Sequence, residues 1–151
     1  MSALRSALSR FGSGVVVVSA LGESGVPRCV LASAFNSVSL EPPILLWCVP
    51  AAEGAWLGVD RAYGLSVLSE HQAAVVTQDG LRRELLAWEY GEALGAPLLR
   101  DAAAWFEVVA ARRIAHGDHD LYLGQVATLG YSASQAGLLR YSGALSAAQS
   151  S

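Results

Sequence analysis

Two histidines and two aspartates fall within five residues, His116-Gly117-Asp118-His119-Asp120, the densest titratable cluster in the chain. Three kinds of chemistry fit it. Imidazole and carboxylate are metal ligands, but a tight turn supplies only part of a coordination shell and the rest would have to come from elsewhere. Gly-Asp is also turn chemistry in its own right. Or one imidazole faces a ligand pocket as proton donor or hydrogen-bond partner, with an aspartate fixing its tautomer. A second stretch, Cys29 to Pro43, has different assets. Ala32, Ser33, Ala34, Asn36, Ser37 and Ser39 carry little bulk, so backbone there can approach a ligand closely, and their polar groups donate and accept hydrogen bonds. Pro42-Pro43 removes two backbone donors and stiffens the approach to the next strand. The stretch reads either as a Ser-rich connection between strands or as a ligand-binding loop held on a rigid sheet.

The remaining reactive groups point away from other chemistries. Cys29 and Cys48 are the only cysteines, each in an apolar, strand-like context, and read as buried structural thiols. No C-x-x-C spacing exists, and two cysteines with scattered histidines do not make a zinc site; with the further ligands of the His/Asp turn unaccounted for, no metal is expected, and the chain is expected to be cytoplasmic. Net charge is −3 with no basic run longer than a pair, which argues against nucleic acid as a partner. No run of 18 apolar residues occurs, so no membrane-spanning helix is expected, nor does the N-terminus read as a secretory signal. Hydrophobic residues make up 53% of the chain and charged ones only 15%. So much apolar material on a small body predicts a subunit interface, hence a homodimer. The 151 residues suit one domain, 1–151, with a core of about 4–145 and a small polar tail from Ser146 that is expected to fray.

The elements that must position the two stretches follow from periodicity. Leu4, Ala7, Leu8 and Phe11 lie at helical spacing behind Ser2 as N-cap. Val15 to Ala20 is strongly β, and the turn residues Gly22 to Gly25 predict a hairpin onto a strand over about 27–31. Ile44 to Val49 is a fully apolar strand, and Tyr63 to Leu68 alternates as another. Short helices are expected over 51–59 and, after Ser69, over 70–78. The polar stretch 80–94 is expected to be a peripheral helix and loop with a solvated face. Strands are expected over 104–116, 120–131 and 138–141. Six or seven strands with short connections favour a sheet closed into a barrel, which removes its edges.

Three stretches together resemble the flavin reductase family: Leu8 to Val18, Leu31 to Pro43, and Gly117-Asp118-His119-Asp120-Leu121-Tyr122-Leu123-Gly124-Gln125-Val126. Lesser echoes are Val67-Leu68-Ser69 with Gln72, Gly95 to Leu99, and Leu138-Leu139 before Ser142-Gly143. The resemblance implies a mainly β fold, a split β-barrel with short peripheral helices, that binds FMN or FAD and dimerises. It implies NADH or NADPH as co-substrate and reduced flavin handed to a partner monooxygenase. Leu31, Ala32, Ser33, Ala34 and Phe35, with Ser37 and Val38, would lie along the flavin, their amides and short side chains bonding its ring edge. Ala52, Glu53, Gly54, Ala55 and Trp56 would lie near ribityl and phosphate, and His119 at the nicotinamide. The 51–54 segment has neither hydroxyl nor cation where the family often has one, and Arg10, Arg28, Arg61, Arg82 and Arg83 are the substitutes available for a phosphate. That departure also keeps open a second reading, a flavin- or small-ligand-binding protein on the same barrel without reductase activity.

Overall fold

The computed structural model describes residues 2–148, apart from the side chains of 54 and 55. Helix α1 (Ala3–Leu8) starts where Ser2 Oγ accepts the Arg5 amide at 3.2 Å, as the capping rule requires. It buries no residue. The strands are β1 (Ser13–Gly14), β2 (Val16–Leu21), β3 (Pro27–Leu31), β4 (Ala34–Leu40), β5 (Pro43–Pro50), β6 (Ala62–Val67), β7 (Trp88–Tyr90), β8 (Pro97–Leu99), β9 (Ala104–His116), β10 (His119–Tyr131), β11 (Leu138–Tyr141) and β12 (Ala144–Ala147). Seven of them form the main sheet in the order β3-β2-β6-β9-β10-β5-β4, all antiparallel. The fold is the split β-barrel that the sequence led us to expect. Its two edge strands, β3 and β4, are consecutive in sequence yet not paired with each other. The link between them spans the split: the Ala32 amide donates to Val16 O of β2 at 2.9 Å, and the Ser33 amide to Cys48 O of β5 at 2.7 Å.

The barrel is filled from strand faces that alternate with period 2. Val16, Val18, Ala20, Val30, Leu45, Trp47, Val49, Tyr63, Leu65, Val108, Ala110 and Tyr122 make one core with Trp56 and Leu57. Trp47 stacks on Tyr122 at 5.8 Å between ring centroids and meets Tyr63 at a tilt. Gly124 makes room for this, since a Cβ there would come within 2.7 Å of the Trp47 ring. A second core, with Val15, Val17, Cys29, Leu68, Leu99 and Leu138, lies outside the barrel under the peripheral segments.

Several expectations are corrected. The 34–40 stretch is neither loop nor simple connection but an edge strand, held by its ladder to β5 with a bulge between Ser37 and Ser39. The polar 80–94 region holds a single 3-10 turn, Arg83–Leu85, and then β7, which pairs with β8. The short helices expected over 51–59 and 70–78 are present, as the 3-10 helices Ala51–Trp56 and Glu70–Val75. Ser146 and Ala147 do not fray; they pair with β11, while 149–151 lie outside the described residues. Cys29 is buried but Cys48 only half-buried, and both are free thiols. Among the described residues no helix is long and apolar enough to cross a membrane.

Candidate functional site

β9 and β10 are joined by the two-residue turn Gly117-Asp118, with His116 opposite His119. Gly117 takes the left-handed conformation that glycine tolerates, φ +65°. The turn delivers His119 to the start of β10, where it faces Pro50 of β5. Its Nδ1 lies 2.7 Å from Asp118 Oδ1, and its Nε2 lies 3.1 Å from Ser33 Oγ. A carboxylate only accepts, so Nδ1 carries the proton. In the neutral ring Nε2 is then an acceptor for the Ser33 hydroxyl; in the imidazolium both nitrogens donate. The hydrogen bond from His119, and then its charge, hold the Asp118 carboxyl below the usual carboxylate range. The two sequence stretches therefore touch through side chains 86 residues apart.

The neighbouring aspartate does other work. Asp120 is buried and accepts from Arg113 Nε at 3.1 Å and Nη2 at 2.8 Å, which pins the two long strands together. Among the described residues no three His, Cys, Asp or Glu side chains converge as metal ligands. Burial pushes the thiols of Cys29 and Cys48 up, so neither offers a thiolate at neutral pH.

The link across the split borders a shallow groove. Leu31, Ala32 and Ser33 line a cleft of about 490 Å³ together with Ser13, Gly14 and Arg140. Ala32, Ser33, Ala34 and Phe35 border a narrower recess of about 80 Å³ with Ser13, Gly14 and Val16. The amides of Ala32 and Ser33, expected to meet a ligand, are spent on the barrel carbonyls of Val16 and Cys48. What this segment presents is small bulk, the Ser33 hydroxyl and the imidazole behind it. Ser37 and Val38 sit further along β4 and line neither opening.

The post-strand segment is placed by both its ends. The Ala51 amide donates to Asp118 O at 2.9 Å, so the 3-10 turn begins against the His119 turn. It ends at Trp56, which lines a separate and larger cleft of about 800 Å³ with Leu57, Arg28 and Arg61. Ala52 is exposed and Glu53 half-buried; Gly54 and Ala55 belong to the turn, but their side chains are not among the described parts of the chain. Of the arginines expected as cations, Arg82 donates to Ala74 O, Arg83 to Cys29 O and Arg61 to Trp56 O and Leu21 O. Arg28 and Arg61 were legible only as charges; their meeting at Trp56 depends on the fold.

Comparison with known proteins gives a consistent picture. The family described as flavin reductase like domain matches residues 8–148. A probable flavin reductase of Rhizobium meliloti is 36% identical over 130 residues, covering 82% of this chain but 42% of that protein, so this chain spans less than half of that relative's length. The structure of a Streptomyces globisporus NADH:FAD oxidoreductase in complex with NAD and FAD fragments superposes with a TM-score of 0.80 at 30% identity, over 97% of this chain and 91% of that one. The flavin reductase component of a bacterial two-component tryptophan halogenase superposes with a TM-score of 0.79 at 34% identity, over 95% of each chain.

Proposed function

The chain belongs to the flavin reductase-like family, and we propose that it is an NAD(P)H:flavin oxidoreductase, one domain over 1–151, that reduces FMN or FAD for a partner monooxygenase. The observation that carries this reading is the contact of His119 Nε2 with Ser33 Oγ at 3.1 Å, which sets an oriented imidazole beside the small-residue link over the split. The residues present suit a flavin. Gly14, Ala32, Ser33 and Ala34 leave a low wall against which a flat ring can lie, and the Ser33 hydroxyl and His119 are polar groups at its rim. A bound flavin supplies the hydride-accepting chemistry there, and NADH or NADPH the hydride.

The protein's own contribution is positional. Asp118 fixes the imidazole through Nδ1, leaving Nε2 to meet a substrate amide or hydroxyl in place of Ser33. Leu31, Ala32, Ser33, Ala34 and Phe35 border the ring, with Ser37 and Val38 continuing the strand beyond it, and Ala52, Glu53, Gly54, Ala55 and Trp56 flank the chain leading to phosphate. His119 holds the nicotinamide. Two such cofactors need be held only face to face, so few charged groups are required.

A homodimer fits the surface. α1 buries nothing, and Leu4, Leu8 and Phe11 are 70%, 62% and 81% exposed, while edge strand β4 leaves Leu40 88% exposed. An uncovered edge strand invites pairing with a second copy. Both cysteines being free thiols suits a reducing, cytoplasmic setting. The reductase reading is tested by adding NADH or NADPH with FMN or FAD to the purified protein and following the nicotinamide absorbance band. Consumption that depends on flavin is expected, and no consumption with any of the four combinations would refute it.

A further inference from the structure

The cleft at Trp56, of about 800 Å³, sets two arginines, Arg28 and Arg61, beside an aromatic face, whereas the arginines of the Leu31–Ser33 cleft, Arg5 and Arg140, line an opening that does not include the 3-10 turn's aromatic end. Arg28 projects from β3 with its guanidinium carbon 5.4 Å from the Trp56 ring centroid. A guanidinium laid over an aromatic face keeps its N–H edge turned outward, in the fork geometry that matches phosphate oxygens. Arg61 is the brace below it. Its Nη1 donates to Trp56 O and its Nη2 to Leu21 O, both at 2.7 Å, which ties the tryptophan to the β2–β3 hairpin. Arg28 itself has no carboxylate partner among the described residues. Glu23, at the hairpin turn, also lines the cleft and opposes an anion there.

The position of this cleft relative to His119 is what gives it meaning. The 3-10 turn runs from the His119 end, where the Ala51 amide meets Asp118 O, to the Arg28 end, where Trp56 closes it. Six residues at a 3-10 rise of roughly 2 Å each span about 10–12 Å. β3 covers the same interval from the other side, since Arg28 and the link at Ala32-Ser33 are separated by four to five residues of extended chain, about 13–16 Å. A flavin whose ring lay at Ser33 would reach Arg28 with its ribityl chain laid along the turn. The turn itself carries no hydroxyl and no cation over 51–54.

Resting on the reductase reading above, we propose that Arg28 is the phosphate anchor of the flavin substrate, so that this chain selects 5′-phosphorylated flavins over riboflavin. The guanidinium on Trp56 replaces, from the neighbouring strand, the polar groups missing from the turn.

The test compares FMN with riboflavin, which differ only in the phosphate, in the wild type, Arg28→Gln and Arg28→Lys. Dissociation constants come from quenching of flavin fluorescence, and KM and kcat from NADH consumption. In Arg28→Gln the FMN dissociation constant and KM are expected to rise about tenfold, the loss of one charged hydrogen bond. Riboflavin binding should stay as in the wild type, and Arg28→Lys should recover part of the FMN affinity. Glu23→Gln should tighten FMN and leave riboflavin alone. Equal weakening of both flavins would mean that Arg28 only packs on Trp56, and no change in either would leave it without a role; each result overturns the proposal. A wild type that binds FMN better than riboflavin yet consumes no NADH would refute the reductase reading while leaving the anchor standing.

Discussion

Glu107 is the one acidic side chain in the buried centre of β9, and replacing it by alanine should unfasten the segment between β7 and β8. The residue is fully buried. Its carboxylate accepts the amides of Ala93 at 3.1 Å, Leu94 at 2.9 Å and Ala96 at 3.2 Å, and the Thr128 hydroxyl at 2.6 Å. Gly91 lies directly against it; a Cβ there would overlap the carboxyl carbon. Alanine leaves three amides without an acceptor. The Ala96 amide is buried and the other two are partly so, and at about 1–3 kcal/mol for a buried orphan and less for a wetted one the sum is about 3 kcal/mol. For a chain of this size that lowers Tm by about 6–12 °C. Glutamine keeps one acceptor and should fall between. Burial by itself pushes the Glu107 carboxyl up, but the bonds from Thr128, Leu94, Ala93 and Ala96 outweigh it and hold it below the usual range. A depressed carboxyl stabilises the fold fully above its unfolded pKa of about 4 and ceases to do so as pH falls through its folded value. Urea denaturation of wild type and variant should therefore differ most at neutral pH, and the difference should shrink in acid. Equal melting temperatures at neutral pH, or a gap unchanged into acid, would show that the carboxylate is not what holds the segment.

Two further outcomes rest on particular atoms. His119→Ala should lower kcat/KM for NADH about a hundredfold through lost positioning, while flavin fluorescence quenching persists; loss of flavin binding instead would move the histidine from the nicotinamide to the flavin. Tyr122→Phe should leave Tm within about 2 °C, because the buried Tyr122 hydroxyl has no hydrogen-bond partner among the described residues and its removal strands none of them; a drop beyond that would reveal a partner such as a trapped water.

The barrel was legible where side-chain period and propensity agreed. The valines of β2, the apolar run of β5 and the alternation of β6 and β10 each name their own conformation, and β9 has the expected bounds, Ala104–His116. β4 was not legible, because Ser and Ala have little strand preference; its register against β5 overrides composition. β7 and β8 were hidden for a similar reason, since they are three residues each and exist through their mutual pairing. The histidine turn and the small-residue link were each visible, but their contact joins residues 33 and 119 and no local pattern encodes it. Glu107 did leave a signal in the sequence: an acid within the apolar run Trp105 to Ala110 has to find donors. Trp56 was assigned through resemblance alone, and the Arg28 that covers it comes from a neighbouring strand.

The join between β3 and β4 carries a thermodynamic consequence. Two amides, on Ala32 and Ser33, fasten the ends of a sheet that is otherwise laddered throughout, so this is where the barrel can breathe with the fewest bonds broken. Anything gripping Leu31 to Phe35 in the closed form raises the free energy of that opening by RT ln(1 + [L]/Kd). Amide hydrogen exchange at 32 and 33 then becomes a gauge of occupancy, slowing as ligand concentration rises while exchange in β9 and β10 stays governed by global unfolding. Recognition and closure of the barrel are, in this chain, one equilibrium read at two ends.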